Sequence, residues 1–200
     1  FWDLDAANEI KRVKPLATGV ETVCWSPDGR LIAAGARYSE VWIADSTGKE
    51  RFRVANDQRH EALLFSLDST QLYLPTRAGV EVWDVAEGER TRSIDTRPLS
   101  NIRTMCLAGK NQQWLMMGDR FSELLVVFDP ASGQRIGQVE CGESYAHSLA
   151  ASSDGMWLAS GYTSGRVRLT QLSEGLHQTV SGKVRYQFQA HRAEDDSRLP

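Results

Sequence analysis

The sequence predicts an all-β chain built from repeated four-stranded antiparallel units. Three observations carry this. First, an apolar strand running into a tight turn recurs four times, ending at Ser26-Pro27-Asp28-Gly29, Ser66-Leu67-Asp68-Ser69, Ala108-Gly109-Lys110-Asn111 and Ser152-Ser153-Asp154-Gly155. Each turn offers a Gly, Ser or Asn where a positive φ is needed. Second, the spacing is regular: Ser26 to Ser66 is 40 residues, Ser66 to Ala108 is 42 and Ala108 to Ser152 is 44. The series Trp2, Trp42, Trp83, Phe128 and Leu169 keeps step at intervals of 40, 41, 45 and 41. Third, one period divides into four strands. A period of about 40–45 residues with four strands is the signature of a β-propeller blade.

Taken in chain order, residues 1–14 hold only the last two strands of a preceding blade. Blades follow at 20–54, 60–95, 101–140 and 146–190, and residues 193–200 form a polar, flexible tail. In the second blade the strands read as Glu61–Phe65, Gln71–Leu74, Val80–Asp84 and Arg90–Ile94, with strict alternation through Val80, Glu81, Val82 and Trp83. Its last two strands are joined by a Gly-containing hairpin loop, residues 85–89, which recurs at 45–49 and 129–133. The fourth blade leaves two choices for its outer strand, Leu176–Gly182 or Val184–Gln189. The chain opens on Phe1-Trp2-Asp3-Leu4, without a signal peptide, and this opening reads as the middle of an element. A half blade at the start therefore points to a part of a larger propeller, its ring completed by missing blades or another chain, since a bare edge invites aggregation.

Composition narrows the partners. Hydrophobic residues make up 41% and charged residues 24%, so the chain can build a core. A net charge of -3 with no basic stripe argues against nucleic acid. No apolar run approaches the ~18 residues of a membrane helix. The reading is a cytoplasmic protein.

The pairs Trp2-Asp3 and Trp83-Asp84, with the variant Phe128-Asp129, resemble the Trp-Asp pair that names the WD repeats. Ser-Pro-Asp-Gly at 26–29 resembles the turn after the innermost strand of that family. The resemblance spans nearly the whole chain and implies a WD-repeat propeller. It also implies a protein-interaction scaffold or sensor, a setting in which such repeats often form part of larger signalling proteins. Two family features are missing. The loop Asp six residues before the strand-ending Trp is replaced by Ala36, Arg77, Ser122 and Thr163, and the Gly-His pair is absent, with Ala190-His191 its nearest echo. The polar network of the family is therefore expected to be lost, leaving packing to hold each blade.

Candidate chemistry is sparse. Cys24 and Cys106 share a repeat position with Leu64 and Ala150, a small apolar slot two blades apart and too distant for a disulfide, and Cys141 stands alone in a loop. His60 and His147 begin innermost strands, but the neighbouring equivalents Glu21, Glu61 and Arg103 make a mixture rather than a metal-binding ring; His177 and His191 add no cluster. There is no nucleophile elbow or P-loop. Trp25, Trp42, Trp83, Trp114 and Trp157 read as core.

Partner binding has a more definite candidate. The loops between second and third strands carry Arg37 and Tyr38, Arg77, Arg120 and Phe121, and Tyr162, while the loops leading into the innermost strands carry Arg59 and Arg97. In a propeller these loops open on one face, and Arg and Tyr are enriched among interface hot spots. The sequence thus predicts a protein-binding face with no enzyme activity, no cofactor and no metal. Two alternatives stand beside it. One is a propeller enzyme of hydrolase or lactonase type using Glu21, Glu61, Arg103 and His147 at the channel. The other is a half-propeller that self-assembles.

Overall fold

The computed structural model describes residues 2–3, 5, 7–36, 40–55, 61–111, 113–140, 145–174 and 180–189, and no helix occurs among them. The strands fall into four antiparallel four-stranded units. The first blade is β3 (Val20–Trp25), β4 (Leu31–Ala36), β5 (Glu40–Asp45) and β6 (Glu50–Ala55). The second is β7 (Leu64–Phe65), β8 (Gln71–Thr76), β9 (Gly79–Asp84) and β10 (Glu89–Ile94). The third is β11 (Ile102–Ala108), β12 (Trp114–Asp119), β13 (Leu124–Phe128) and β14 (Arg135–Glu140). The fourth is β15 (Ala146–Ala151), β16 (Trp157–Tyr162), β17 (Arg166–Glu174) and β18 (Val180–Gln189). Each is an antiparallel meander, so the architecture is a four-blade propeller arrangement. Ahead of it lies a two-stranded sheet, β1 (Trp2–Asp3) with β2 (Asn8–Glu9).

Local chemistry explains the boundaries. Gly29, Ser69 and Gly155 occupy the same turn position with φ of 70°, 63° and 70°, as the turn reading required. The second blade's innermost strand is shorter than expected, because the register of Leu64 with Tyr73 would set Ala62 opposite Pro75, which has no N–H to extend the ladder. The fourth blade's outer strand is one continuous element that overlaps both sequence readings, and it also pairs in parallel with β14 at Gly137 and Val180.

The core lies between blades, in layers. Ala33, Val41 and Ile43 of the first blade meet Leu63, Phe65, Leu72 and Leu74 of the second. Tyr73, Val80, Val82 and Ile94 turn the other way onto Met105, Leu115, Met117 and Phe128 of the third. Trp114, Met116, Leu125 and Val127 then face Ala146, Leu158 and Leu172 of the fourth. Strand alternation produces this: successive residues serve successive layers.

The layers also correct the reading of the tryptophans. Trp42 and Trp114 are buried at 3% exposure each, but Trp25 is 47% exposed. Its repeat equivalent Phe65 is covered by the first blade, whereas Trp25 sits on the first blade's leading face. Trp157 is half-buried on the far face of the fourth blade, where it stacks on Tyr186. Cys24 and Cys106 are free thiols, both pushed up to about 12 by burial.

Candidate protein-binding face

Antiparallel order puts the turns between second and third strands at the same end of each blade as the segments leading into the innermost strands. We call this the upper end. Of the predicted surface residues, Arg37, Tyr38 and Arg59 lie outside the described residues. Arg77 and Arg97 are exposed there, Arg97 in an ion pair with Asp95, and Arg120 is half-buried. Phe121 is 77% exposed. Tyr162 is corrected: it is 7% exposed in the layer between third and fourth blades, its hydroxyl within 2.9 Å of Ser160 Oγ and its ring under the Arg168 guanidinium at 5.6 Å. It ends a strand whose alternate residues Leu158 and Ser160 face that same layer, so its side chain follows them inward.

A buried carboxylate organises this end of the third blade. Asp119, 3% exposed, ends β12. Its Oδ2 accepts the Ser100 and Asn101 amides, each at 2.7 Å, and its Oδ1 accepts the Phe121 amide at 2.7 Å. One side chain thus ties the loop carrying Arg97 to the turn carrying Arg120 and Phe121. The expectation that the blades lack a polar tie is therefore corrected here. The acid sits at the end of the second strand, a position that the scan for a loop Asp did not cover.

The innermost strands show a second pattern. Glu21, Glu61, Arg103 and His147 each lie five residues before the turn Ser or Ala. In β3, β11 and β15 the ladder slips at this residue, between Val20 and Thr22, Ile102 and Thr104, and Ala146 and Ser148. A bulge re-aims its side chain. Arg103 makes an ion contact with Glu61 Oε2 at 3.2 Å, hydrogen-bonds His147 Nε2 and lies over the Tyr145 ring at 5.7 Å. Since a guanidinium only donates, His147 Nε2 is the acceptor. Glu61 and Arg103 are largely buried, with side chains 11% and 13% exposed. Three blades are thereby tied together near the start of their innermost strands. Among the described residues no group of three metal-ligating side chains converges.

At the lower end the turns repeat one hydrogen-bond design. Ser26 Oγ donates to Asp28 at 2.6 Å and accepts the Leu31 amide at 2.9 Å; Ser66 does the same with Asp68 and Gln71, and Ser152 with Asp154 and Trp157. Each of these carboxyls is held below its usual range, first by the seryl hydroxyl and then by a backbone amide two residues on. Neighbouring turns are also joined: Asp28 N–H donates to Ser69 Oγ at 3.1 Å, and Gly109 N–H to the Gly155 carbonyl at 2.8 Å.

The fold is a β-propeller built from four-stranded blades, with Arg77, Arg97 and Phe121 exposed at one end. Comparison with known proteins gives a match to part of the chain. The WD domain, G-beta repeat model matches residues 12–45 and 134–170, two sites within this β-propeller fold. No curated protein matches the sequence. Among solved structures, a chain from the crystal structure of the mitotic checkpoint complex is similar, with a TM-score of 0.64 and 15% identity over 95% of this chain and 71% of that one. At that identity the likeness shows the fold.

Proposed function

We propose that this propeller is a cytoplasmic, non-catalytic scaffold that binds a protein partner at the upper end of its second and third blades. The observation that carries the reading is Phe121: a large apolar side chain, 77% exposed, on a turn fixed by the buried Asp119. A fixed, exposed aromatic next to Arg120 in the chain has the make-up of a hot spot, because little ordering entropy is lost on binding. Arg77 and Arg120 add positive charge at the same end, so the expected partner segment carries acidic residues beside an apolar one. The WD-repeat fold, and a similar fold within the mitotic checkpoint complex, fit a role in assembly.

The test is quantitative capture from a host extract by the wild-type chain and by F121A/R77A/R120A. A partner retained by the first and lost by the second, at equal thermal stability, supports the reading; equal capture by both refutes it.

One observation favours a second reading, catalysis at the channel: Glu61, Arg103 and His147 do converge. There Arg103 compensates the Glu61 charge and bridges three blades, which fits a strut better than a poised acid or base. Retention of partner capture by E61Q would be consistent with this assignment, and turnover of ester or lactone substrates that E61Q abolishes would replace it.

A further inference from the structure

The layer between the second and third blades departs from its neighbours at the lower end. In the first blade Leu31, Ala33 and Phe52 face the second and pack in an apolar layer. In the third blade Trp114 and Met116 take the first two of these positions and are buried against the fourth. In the second blade the same positions hold Gln71, Tyr73 and Arg92. Strand register sets the equivalence: Leu31 and Gln71 pair with Asp45 and Asp84, Phe52 and Arg92 with Ile43 and Val82.

The opposing wall changes as well. Phe65 and Val85, 3% and 6% exposed, fill the layer between first and second blades. In the next layer those positions fall to Leu107 and Pro130. What opens is a cleft of about 520 Å³, with Gln71, Tyr73 and Arg92 on one wall and Leu107, Pro130 and Ala131 on the other. Ser66, Leu67 and Asp68 of the turn complete it, and Leu67 is 52% exposed.

Polar side chains in such a layer cost free energy unless they are paired. Arg92 is half-buried and carries five N–H donors. Among the described residues it makes one hydrogen bond, to the Pro130 carbonyl, and no ion pair. Tyr73 is 3% exposed, and among the described residues its hydroxyl makes no hydrogen bond. Burial pushes its phenol above the ordinary range, so the group keeps its proton and donates. The nearby carboxylates are occupied, Asp68 by the Ser66 and Thr70 hydroxyls and Asp129 by the Ser132 hydroxyl and the Ala131 amide. Their charge reaches Tyr73, which opposes a doubly charged ligand and leaves Arg92 suited to a singly charged one.

We infer that this cleft binds a monocarboxylate with an aliphatic stem. The carboxylate sits on the Arg92 guanidinium and the Tyr73 hydroxyl, and the stem lies along Leu67, Leu107 and Pro130. A guanidinium fork matches the two oxygens of a carboxylate. The volume falls within the range of ligand sites. A small organic acid and a glutamate side chain on a peptide share this chemistry. The cleft opens at the lower end, away from Phe121, so this inference and the proposed scaffold role can fail separately.

NMR titration of the intact chain at neutral pH, read at the Leu67 and Leu107 methyl groups, decides it. The ligands are hexanoate, hexan-1-ol, inorganic phosphate and the tripeptide acetyl-Ala-Glu-Ala-amide. A saturable shift with hexanoate, with the tripeptide or with both is expected, and the tighter of the two identifies the source. Hexan-1-ol and phosphate should bind at least about tenfold more weakly. Arg92→Leu places an apolar side chain where the first blade has Phe52, so it should keep thermal stability while weakening the acid at least about tenfold. Tyr73→Phe should weaken it about threefold. Equal binding of hexan-1-ol, tighter binding of phosphate, affinity unchanged in Arg92→Leu, or no saturable shift with either acid overturns the inference.

Discussion

At the residue scale, a few side chains hold the parts that face outward. Asp119 is the clearest, since three backbone amides from two loops converge on one buried carboxylate. Asp119→Ala leaves those amides without their acceptor and is expected to destabilise the chain by about 3 kcal/mol, with Asp119→Asn costing about half as much. Chemical denaturation measures both, and amide exchange at Ser100, Asn101 and Phe121 should rise first. Gly155 is a backbone counterpart. It has φ of +70°, and a Cβ there would lie 1.9 Å from the Gly109 carbonyl oxygen of the neighbouring blade. Gly155→Ala is therefore expected to cost about 2 kcal/mol or more, whereas Gly29→Ala, at the same φ with open space around it, should cost only about 1. Equal effects of the two would show that the approach of the third and fourth blades is looser than described.

At the element scale, the lower turns make stability depend on acid. The Asp28, Asp68 and Asp154 carboxyls are held below their usual range by Ser hydroxyls and turn amides, and Asp95 is lowered to about 2 by Arg97. A carboxylate depressed in the fold stabilises it above the unfolded value, about 3.9, and that stability is lost as pH falls toward the native value. The urea midpoint should therefore be flat from neutral pH to about 5 and fall steeply below about 4. The triple variant D28N/D68N/D154N should be less stable at pH 7 and show a shallower acid slope.

These elements also show what the sequence discloses. The turns were legible because Ser-x-Asp at a fixed period specifies both hydrogen bonds and backbone angle. The bulges at Glu21, Arg103 and His147 were not legible, because a slip in register depends on the facing strand. Trp25 and Tyr162 were misplaced for a related reason: alternation says which residues share a face, but not whether another blade covers it. Asp119 was missed because its partners lie up to 19 residues away, in a loop that only the folded blade brings near.

At the scale of the whole molecule, blades pack in series and each layer joins two neighbours. The row ends in apolar surface on both sides, at Val20 and Val23 on the first blade and at Tyr186 and Phe188 on the fourth, the latter pair 57% and 52% exposed. Between those ends, the ion contact of Arg103 with Glu61 and its hydrogen bond to His147 tie three blades together. Arg103→Met leaves Glu61 largely buried without its cation and is expected to cost on the order of 3 kcal/mol, measured by urea unfolding.

The upper end is the functional claim, and the lower end supplies its control. The most direct measurement is partner capture by three proteins at equal concentration: wild type, the upper-end variant F121A/R77A/R120A and the lower-end variant D28N/D68N. Binding lost in the upper-end variant and retained in the lower-end variant is the predicted result. Binding that survives the first and disappears with the second would contradict the account.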